Sequence, residues 1–445
     1  MTDAAHLSYE PLILPDSPSL GLLRSLDYRR FLRAATLEAG LRFFMRRQSA
    51  SVSWLFLDTK FNPNTGLELP SVSRNVIHTW ILGRGAEALA LHLQQLDSLD
   101  LSDFEKAEAR RLFRPVVQNM CRSIRGIARN NCGRIPFVVG RDLLAIGPAP
   151  DSSLVGPSDL FCGKGLLMSE DPADRDAGLA MLKVVAERIA QGAVETSGGP
   201  SGHGKLSQAM RMLFLSVPRL LADGINADAK HELRCFACEF IAFVLEHHHD
   251  RETGRFSEWI DPATGERGHY LDPGHCTEFV GLAYSALRAM DGEVGSATAE
   301  RKTLRAKAND VLPQILLSAV TAGFSERWGG ICKAVDNRTR LPLDASMPWW
   351  NLPETMRAAL FAAEESSDQA VKDECLRVFA KCHNAYFTNY LNRGNGLFPF
   401  QTRSGETGEV LDAAPAVPEG DPLYHTNLCV FEILSILETK SSRND

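Results

Sequence analysis

Apolar positions along this 445-residue chain recur mostly at three- and four-residue intervals, the period of amphipathic helices, and seldom alternate as strands do. The pattern predicts twelve helices, over 27–48, 74–95, 103–130, 158–168, 175–193, 204–223, 226–249, 274–290, 296–322, 349–365, 368–392 and 424–438. Odd-numbered segments carry charge along one side. Examples are Arg29, Arg30, Arg33, Arg42, Arg46 and Arg47 in the first, and Glu105, Lys106, Glu108, Arg110 and Arg111 in the third. Such helices have one face in water. Several even-numbered segments, such as Leu428 to Leu437, are apolar on most sides, and a helix of that kind is buried nearly all round. Outer and inner helices in alternation predict an all-α fold, a single (α/α)6 barrel over 27–440. An N-terminal extension, 1–26, precedes it and a C-terminal tail, 441–445, follows. Pro115 and Pro313 fall inside the third and ninth helices and are expected to kink or split them.

The connections into even-numbered helices are long and rich in Gly, Pro and Asp: 49–73, 131–157, 250–273, 323–348 and 393–423. Residues 254–270 read as a β-hairpin around a Pro-Ala-Thr-Gly turn. Connections leaving the inner helices are shorter. Long loops at one end of a scaffold are where binding residues normally sit, so the N-termini of the inner helices mark the expected site.

Composition narrows the function classes. Forty-eight basic against 55 acidic side chains give a net charge of −7, which argues against a nucleic-acid partner. No run of about 18 apolar residues is present, so no ordinary membrane span is expected. The polar N-terminus lacks a signal-peptide pattern, and ten cysteines in this length are too sparse for a disulfide scaffold. The expectation is a cytoplasmic globular protein, with a homodimer left open.

Four stretches carry chemistry. In Leu271-Asp-Pro-Gly-His-Cys-Thr-Glu278, His275 and Glu278 sit three apart at the start of an inner helix. Buried polar groups there must satisfy one another or a ligand, and a carboxylate beside the imidazole would orient it and raise its pKa, as general acid/base work requires. A core histidine with a local hydrogen bond is the competing reading. Pro348-Trp-Trp-Asn-Leu-Pro-Glu354 puts Glu354 one turn after Trp350, an aromatic floor and an acceptor suited to a polyol; an ordinary tryptophan core fits as well. In the second helix Arg84 interrupts an apolar stripe that includes Trp80. His425 opens the last inner helix. In a closed barrel these ends converge on one pocket, across which two histidines can pass a proton. Three other features are set aside. Gly199–Leu206 departs from a phosphate-binding loop because Leu206 replaces the hydroxyl residue and a helix precedes it. Cys235 and Cys238 have no second pair for zinc, and His247, His248 and His249 end a helix, where imidazoles suit the dipole.

These motifs resemble the N-acylglucosamine 2-epimerase family of sugar 2-epimerases and aldose–ketose isomerases, over about residues 55 to 437. Trp80-Ile-Leu-Gly-Arg84 is similar to the family's Trp-x-Gln-Gly-Arg. Phe256-Ser-Glu258 followed by Asp272-Pro-Gly-His-Cys-Thr-Glu278 is similar to its Pro-Gly-His-x-x-Glu block, Trp349-Trp350 with Glu354 to its Trp-Trp-x-x-x-Glu, and Tyr424-His425 to its terminal His motif. The resemblance implies an (α/α)6 barrel and a cofactor- and metal-independent enzyme that moves the C2 proton of a ring-opened sugar through a cis-enediol. His275 and His425 would be the acid/base pair, and Arg84 would bind the carbonyl or enediolate oxygen. Glu278 and Glu354 would hold histidine and substrate hydroxyls, Trp350 would be a sugar platform beside Trp80, and His203 would be a further polar contact. The chain departs from the family at Thr426-Asn427, where Pro-Arg follows the intervening residue, at Leu82 for Gln, and at Lys205, where some disaccharide epimerases have a histidine. An (α/α)6 glycoside hydrolase or lyase using Glu278 with Glu354 or Glu258, and a catalytically silent sugar-binding protein, remain as alternatives.

Overall fold

The computed structural model describes residues 9–51, 54–147, 150–195, 205–221, 225–291, 299–413 and 417–439. His203, and the Gly199 end of the set-aside glycine-rich stretch, lie outside the described residues. Among the described residues, twelve helices build the barrel. Helix α1 runs from Leu26–Leu32 through a π-helical turn, Arg33–Glu38, into Ala39–Ala50. The others are α2 (Thr79–Gln95), α3 (Asp103–Asn130), α4 (Pro157–Leu167), α5 (Pro172–Ala190), α6 (Ala209–Phe214), α7 (Ala227–His247), α8 (Pro273–Ala289), α9 (Ala299–Gly323), α10 (Asn351–Glu365), α11 (Gln369–Asn389) and α12 (His425–Glu438).

The even-numbered helices form the inner ring, each packed on the next from α2 to α12. Asn427 of α12 closes the ring against α2, its Nδ2 lying 3.0 Å from Nε2 of His92. Every residue of α10 from Asn351 to Ala363 is buried. The outer helices keep one wet face. Helix α3 starts on a capping box, with Ser102 Oγ accepting from Glu105 N at 3.3 Å and Ser102 N donating to Glu105 Oε2 at 2.9 Å. The outer ring closes where Tyr28 and Phe31 of α1 meet Phe379 and Phe387 of α11. The segment before α1 lies on α11, Tyr9 Oη donating to the Phe387 carbonyl at 3.1 Å.

Three expectations need correction. Neither proline splits its helix: α3 continues through Pro115 and α9 through Pro313, since each removes one hydrogen bond from a helix that its buried face still holds. Helix α6 is far shorter than 204–223. Leu206–Ser207 pairs as a strand with Trp259–Ile260, and Pro218 forces a 3-10 turn at Pro218–Leu220. Helix α2 begins at Thr79 because Ile77–His78 is taken up by pairing with Val138–Val139. The turn over Asp261–Gly265 forms as read, closed by Gly265 N donating to the Asp261 carbonyl at 2.8 Å. Its flanks pair with each other, Ile260 bridging Arg267 and Gly268 N donating to the Trp259 carbonyl at 2.8 Å, and they also join neighbours: Arg255–Phe256 pairs with His249–Asp250, and Tyr270–Leu271 with Val335–Asp336.

Every strand among the described residues is two or three residues long and lies in a connection leading into an inner helix. One end of the barrel therefore carries all the sheet structure, directly above the inner N-termini. On α2 and α4 the glycines let two inner helices touch backbone to backbone. A Cβ at Gly83 would fall 2.5 Å from the Phe161 carbonyl carbon, and one at Gly165 would fall 2.8 Å from the Gly83 carbonyl oxygen. That approach seats Arg84 against α4.

Candidate active site

Helix α8 starts with Pro273 in its first turn and Asp272 as its cap, whose Oδ1 accepts from His275 N at 3.2 Å. From Pro273 to Leu287 every side chain is buried except His275, which opens into a cavity of about 390 Å³ at the loop end of the barrel. His275 Nδ1 lies 3.2 Å from Glu258 Oε1 and 3.6 Å from Asp272 Oδ2. Glu258 is itself fixed by Ser207 Oγ at 2.9 Å and Gln208 Nε2 at 3.1 Å. Burial alone would lower the His275 pKa, but the charges of Asp272 and Glu258 outweigh it and raise it to about 9. The imidazole is thus a cation at neutral pH.

On α12, which flanks α10 on the side away from α8, His425 Nδ1 lies 3.0 Å from Glu354 Oε1. Arg357, one turn along α10, makes an ion pair with the same carboxylate. Burial would raise the Glu354 pKa; Arg357 and His425 override it and hold the carboxyl ionised. Trp350 stands between the two histidines. Its ring centroid is 5.3 Å from that of His425 and 5.7 Å from that of His275. With each Nδ1 on a carboxylate, each Nε2 is the nitrogen left for a ligand.

Glu278 is buried and lines the cavity, and its pKa is raised by burial and by the neighbouring Glu354 charge. Here the sequence reading needs correction: among the described residues, His275 is held by Glu258 and Asp272 and not by Glu278. The cap draws the imidazole back toward the hairpin, while Glu278 faces α10 and α12. Glu278, Glu354 and His425 each bring one potential metal-ligand atom within 4.8 Å of the others. Arg357 is ion-paired with the Glu354 carboxylate of this trio.

Arg84 reaches the cavity from α2, only 8% exposed and without a carboxylate partner among the described residues. Its guanidinium carbon lies 4.2 Å from the Phe161 ring, 4.5 Å from Trp80 and 4.9 Å from Tyr424. Its Nε has no hydrogen-bond partner. A boxed cation of this kind is stabilised by the aromatic faces and keeps its donors for an oxygen in the cavity.

Below the cavity runs a row of buried charges that periodicity could not reveal. Lys164 pairs with Glu87 at 2.9 Å, Glu87 with Arg219 at 3.0 Å, Arg219 with Glu432, and Glu432 with Arg357 at 3.6 Å. Burial lowers the Lys164 pKa to about 8, against the pull of Glu87. A larger cavity of about 960 Å³ opens at the opposite end, but none of its lining residues is a histidine. The sequence-derived set thus meets at one place: His275, His425, Glu278, Arg84, Trp80 and Trp350 line the smaller cavity, with Glu354 directly behind His425. Lys333, Asp421, Gln401 and Glu419 line it too and were missed, since they sit in loops without periodic signal.

No curated protein matches the sequence. The fold has relatives among solved structures. A cellobiose 2-epimerase from Bacillus thermoamylovorans aligns with a TM-score of 0.60 at 13% identity, covering 88% of this chain and 99% of its own. A D-mannose isomerase aligns at 0.58 and 12%, covering 89% and 97%. An unsaturated glucuronyl hydrolase from Bacillus sp. GL1 aligns at 0.52 and 12%, covering 91% and 96%. At such identities the likeness fixes the barrel, not the reaction. The sequence profile described as N-acylglucosamine 2-epimerase (GlcNAc 2-epimerase) matches residues 221–429, which include His275, Glu278, Glu354 and His425. From residue 221 to residue 429 the chain is similar in sequence to the N-acylglucosamine 2-epimerase family.

Proposed function

We propose that this protein moves the C2 proton of a ring-opened sugar between His275 and His425, without a cofactor. The family match supports a sugar epimerase or isomerase. The observation that carries the finer reading is the Trp350 indole between two imidazoles, each with its Nδ1 on a carboxylate. His425, its Nδ1–H donated to Glu354, takes the C2 proton on Nε2. The C2–H electron pair becomes the C1=C2 bond, and the carbonyl oxygen gains charge that Arg84 stabilises. His275, protonated at neutral pH, returns a proton to the other face of C2 for the epimer, the O1 carbonyl re-forming. For the ketose the O2 proton first passes to O1, and the returned proton goes to C1 as the C1=C2 pair is taken up and C2=O forms. The reverse reaction exchanges the two roles. Trp350 supplies an apolar floor for the sugar's C–H groups, and Glu278 accepts or donates to a hydroxyl.

The test is proton NMR in D2O on aldoses, ketoses, N-acetylhexosamines and β-linked disaccharides. Deuterium is expected at C2 with no bond cleaved, and His275→Asn and His425→Asn are each expected to abolish exchange. Cleavage of a glycosidic bond without exchange would instead favour a hydrolase using Glu278 with Glu354 or Glu258.

A further inference from the structure

Tyr424 stands where the parts of the site meet. It is the residue before α12, so His425 follows it directly, and the two rings lie edge to face with centroids 5.4 Å apart. The same phenol ring lies 4.9 Å from the Arg84 guanidinium carbon and 5.5 Å from the Phe161 ring. It therefore adjoins both the cation set on the carbonyl oxygen and the base set on C2.

The ring is fixed from several sides. Its hydroxyl accepts from Lys164 Nζ on α4, an ammonium that also pairs with Glu87 of α2 at 2.9 Å. Tyr424 N donates to Asp421 Oδ2 at 2.8 Å. Leu423 takes a left-handed φ of 63°, unfavourable for a residue with a Cβ, and packs on Gly40 of α1, where an added Cβ would fall 2.7 Å from Leu423 Cδ2. Lys164 is the costly part of this arrangement. It is fully enclosed, and burial lowers its pKa to about 8 against the pull of Glu87. Hydrocarbon of similar volume often replaces a buried ion pair without loss of stability, so stability alone does not account for an ammonium here. Its Nζ lies 5.0 Å from the Tyr424 ring and 5.2 Å from Phe161, the same rings that box Arg84.

We propose that Tyr424 is a positioning residue that sets Arg84 and His425 relative to each other, and that Lys164 is its anchor. The inference rests on the C2-proton reading above for the roles of Arg84 and His425, and adds residues that act through them. A displacement of about 1 Å in such groups costs up to about 100-fold in rate, so the anchoring of one ring is read in kcat.

Tyr424→Phe keeps the ring and removes the hydroxyl; Lys164→Met removes the ammonium and leaves Glu87 paired with Arg219. Each is expected to lower kcat for C2 exchange by about 10- to 100-fold, with KM less affected. The double variant is expected to lose no more than the worse single variant, because both changes remove one contact. Lys164→Gln, which can still donate to the hydroxyl, is expected to retain more activity than Lys164→Met. Nitrogen–proton NMR spectra give a readout without turnover: the Arg84 Nε–H and His425 ring signals are expected to move in both single variants. Should Lys164→Met fail to fold, Tyr424→Phe alone carries the comparison. Full kcat in Tyr424→Phe, or losses that multiply in the double variant, would overturn the inference while exchange by the unaltered protein upholds the proton-transfer reading. If the unaltered protein exchanges no sugar, that reading falls and the spectra still decide: unmoved Arg84 and His425 signals refute the positioning role, and moved ones support it.

Discussion

His275 is the most informative single residue, because its charge is set by groups that the mechanism needs anyway. Burial opposes protonation, but Asp272 and Glu258 raise the imidazole to about 9. Activity that depends on the imidazolium is therefore expected to hold through neutral pH and to fall as pH passes about 9, measured as the basic limb of kcat/KM. Glu258→Gln removes one of those charges and is expected to bring the limb down by about one pH unit or more. The sign for stability is the same: the folded pKa lies above the ordinary value, so the contribution is full below about 6.5 and is lost as pH rises through 9. Arg357 acts through Glu354. Arg357→Met should leave that carboxylate sharing a proton with Glu278 and let His425 turn. The expected results are a kcat drop of about 100-fold, with KM less affected, and a loss of roughly 3–5 kcal/mol in urea unfolding. Unchanged kcat would exclude the positioning role.

At the level of helices, the close approach of α2 and α4 is the feature most open to test. Gly83→Ala places a methyl carbon on the Phe161 backbone and is expected to cost about 1–3 kcal/mol in chemical denaturation. It should also lower kcat, because Arg84 is the next residue; a variant as stable and active as the parent would contradict the packing described. The helices themselves were legible from periodicity, since burial on one face or on all faces writes directly into the spacing of apolar residues. Helix α6 was not: its apolar run continues across residues that strand pairing and Pro218 withdraw from the helix. His275, His425, Glu278 and Glu354 were readable because each sits at the start of an inner helix. Their partners were not, because Glu258 and Asp272 acquire meaning only through an imidazole nitrogen 3.2–3.6 Å away, from the loop before α8 and from its cap, and Arg357 through the ion pair one turn along α10.

The whole molecule is a ring, and the groups proposed to act on the sugar come from helices as far apart in sequence as α2 and α12. Loss of exchange activity and loss of tryptophan fluorescence are expected to share one midpoint in denaturant, as a ring opened anywhere takes the site with it. Separate midpoints would show that part of the ring melts alone. The interior row from Lys164 through Glu87, Arg219 and Glu432 to Arg357 ties four inner walls to His425. Neutralising Glu87 alone strands Lys164, fully enclosed, whereas Glu87→Gln combined with Lys164→Met removes both signs together; the double variant is expected to be more stable than the Glu87→Gln single variant. Over evolutionary time this imposes strong epistasis. Lineages that lose one member of the row should also have lost its complement, so these core positions are expected to covary in descent although none of them ever meets the substrate.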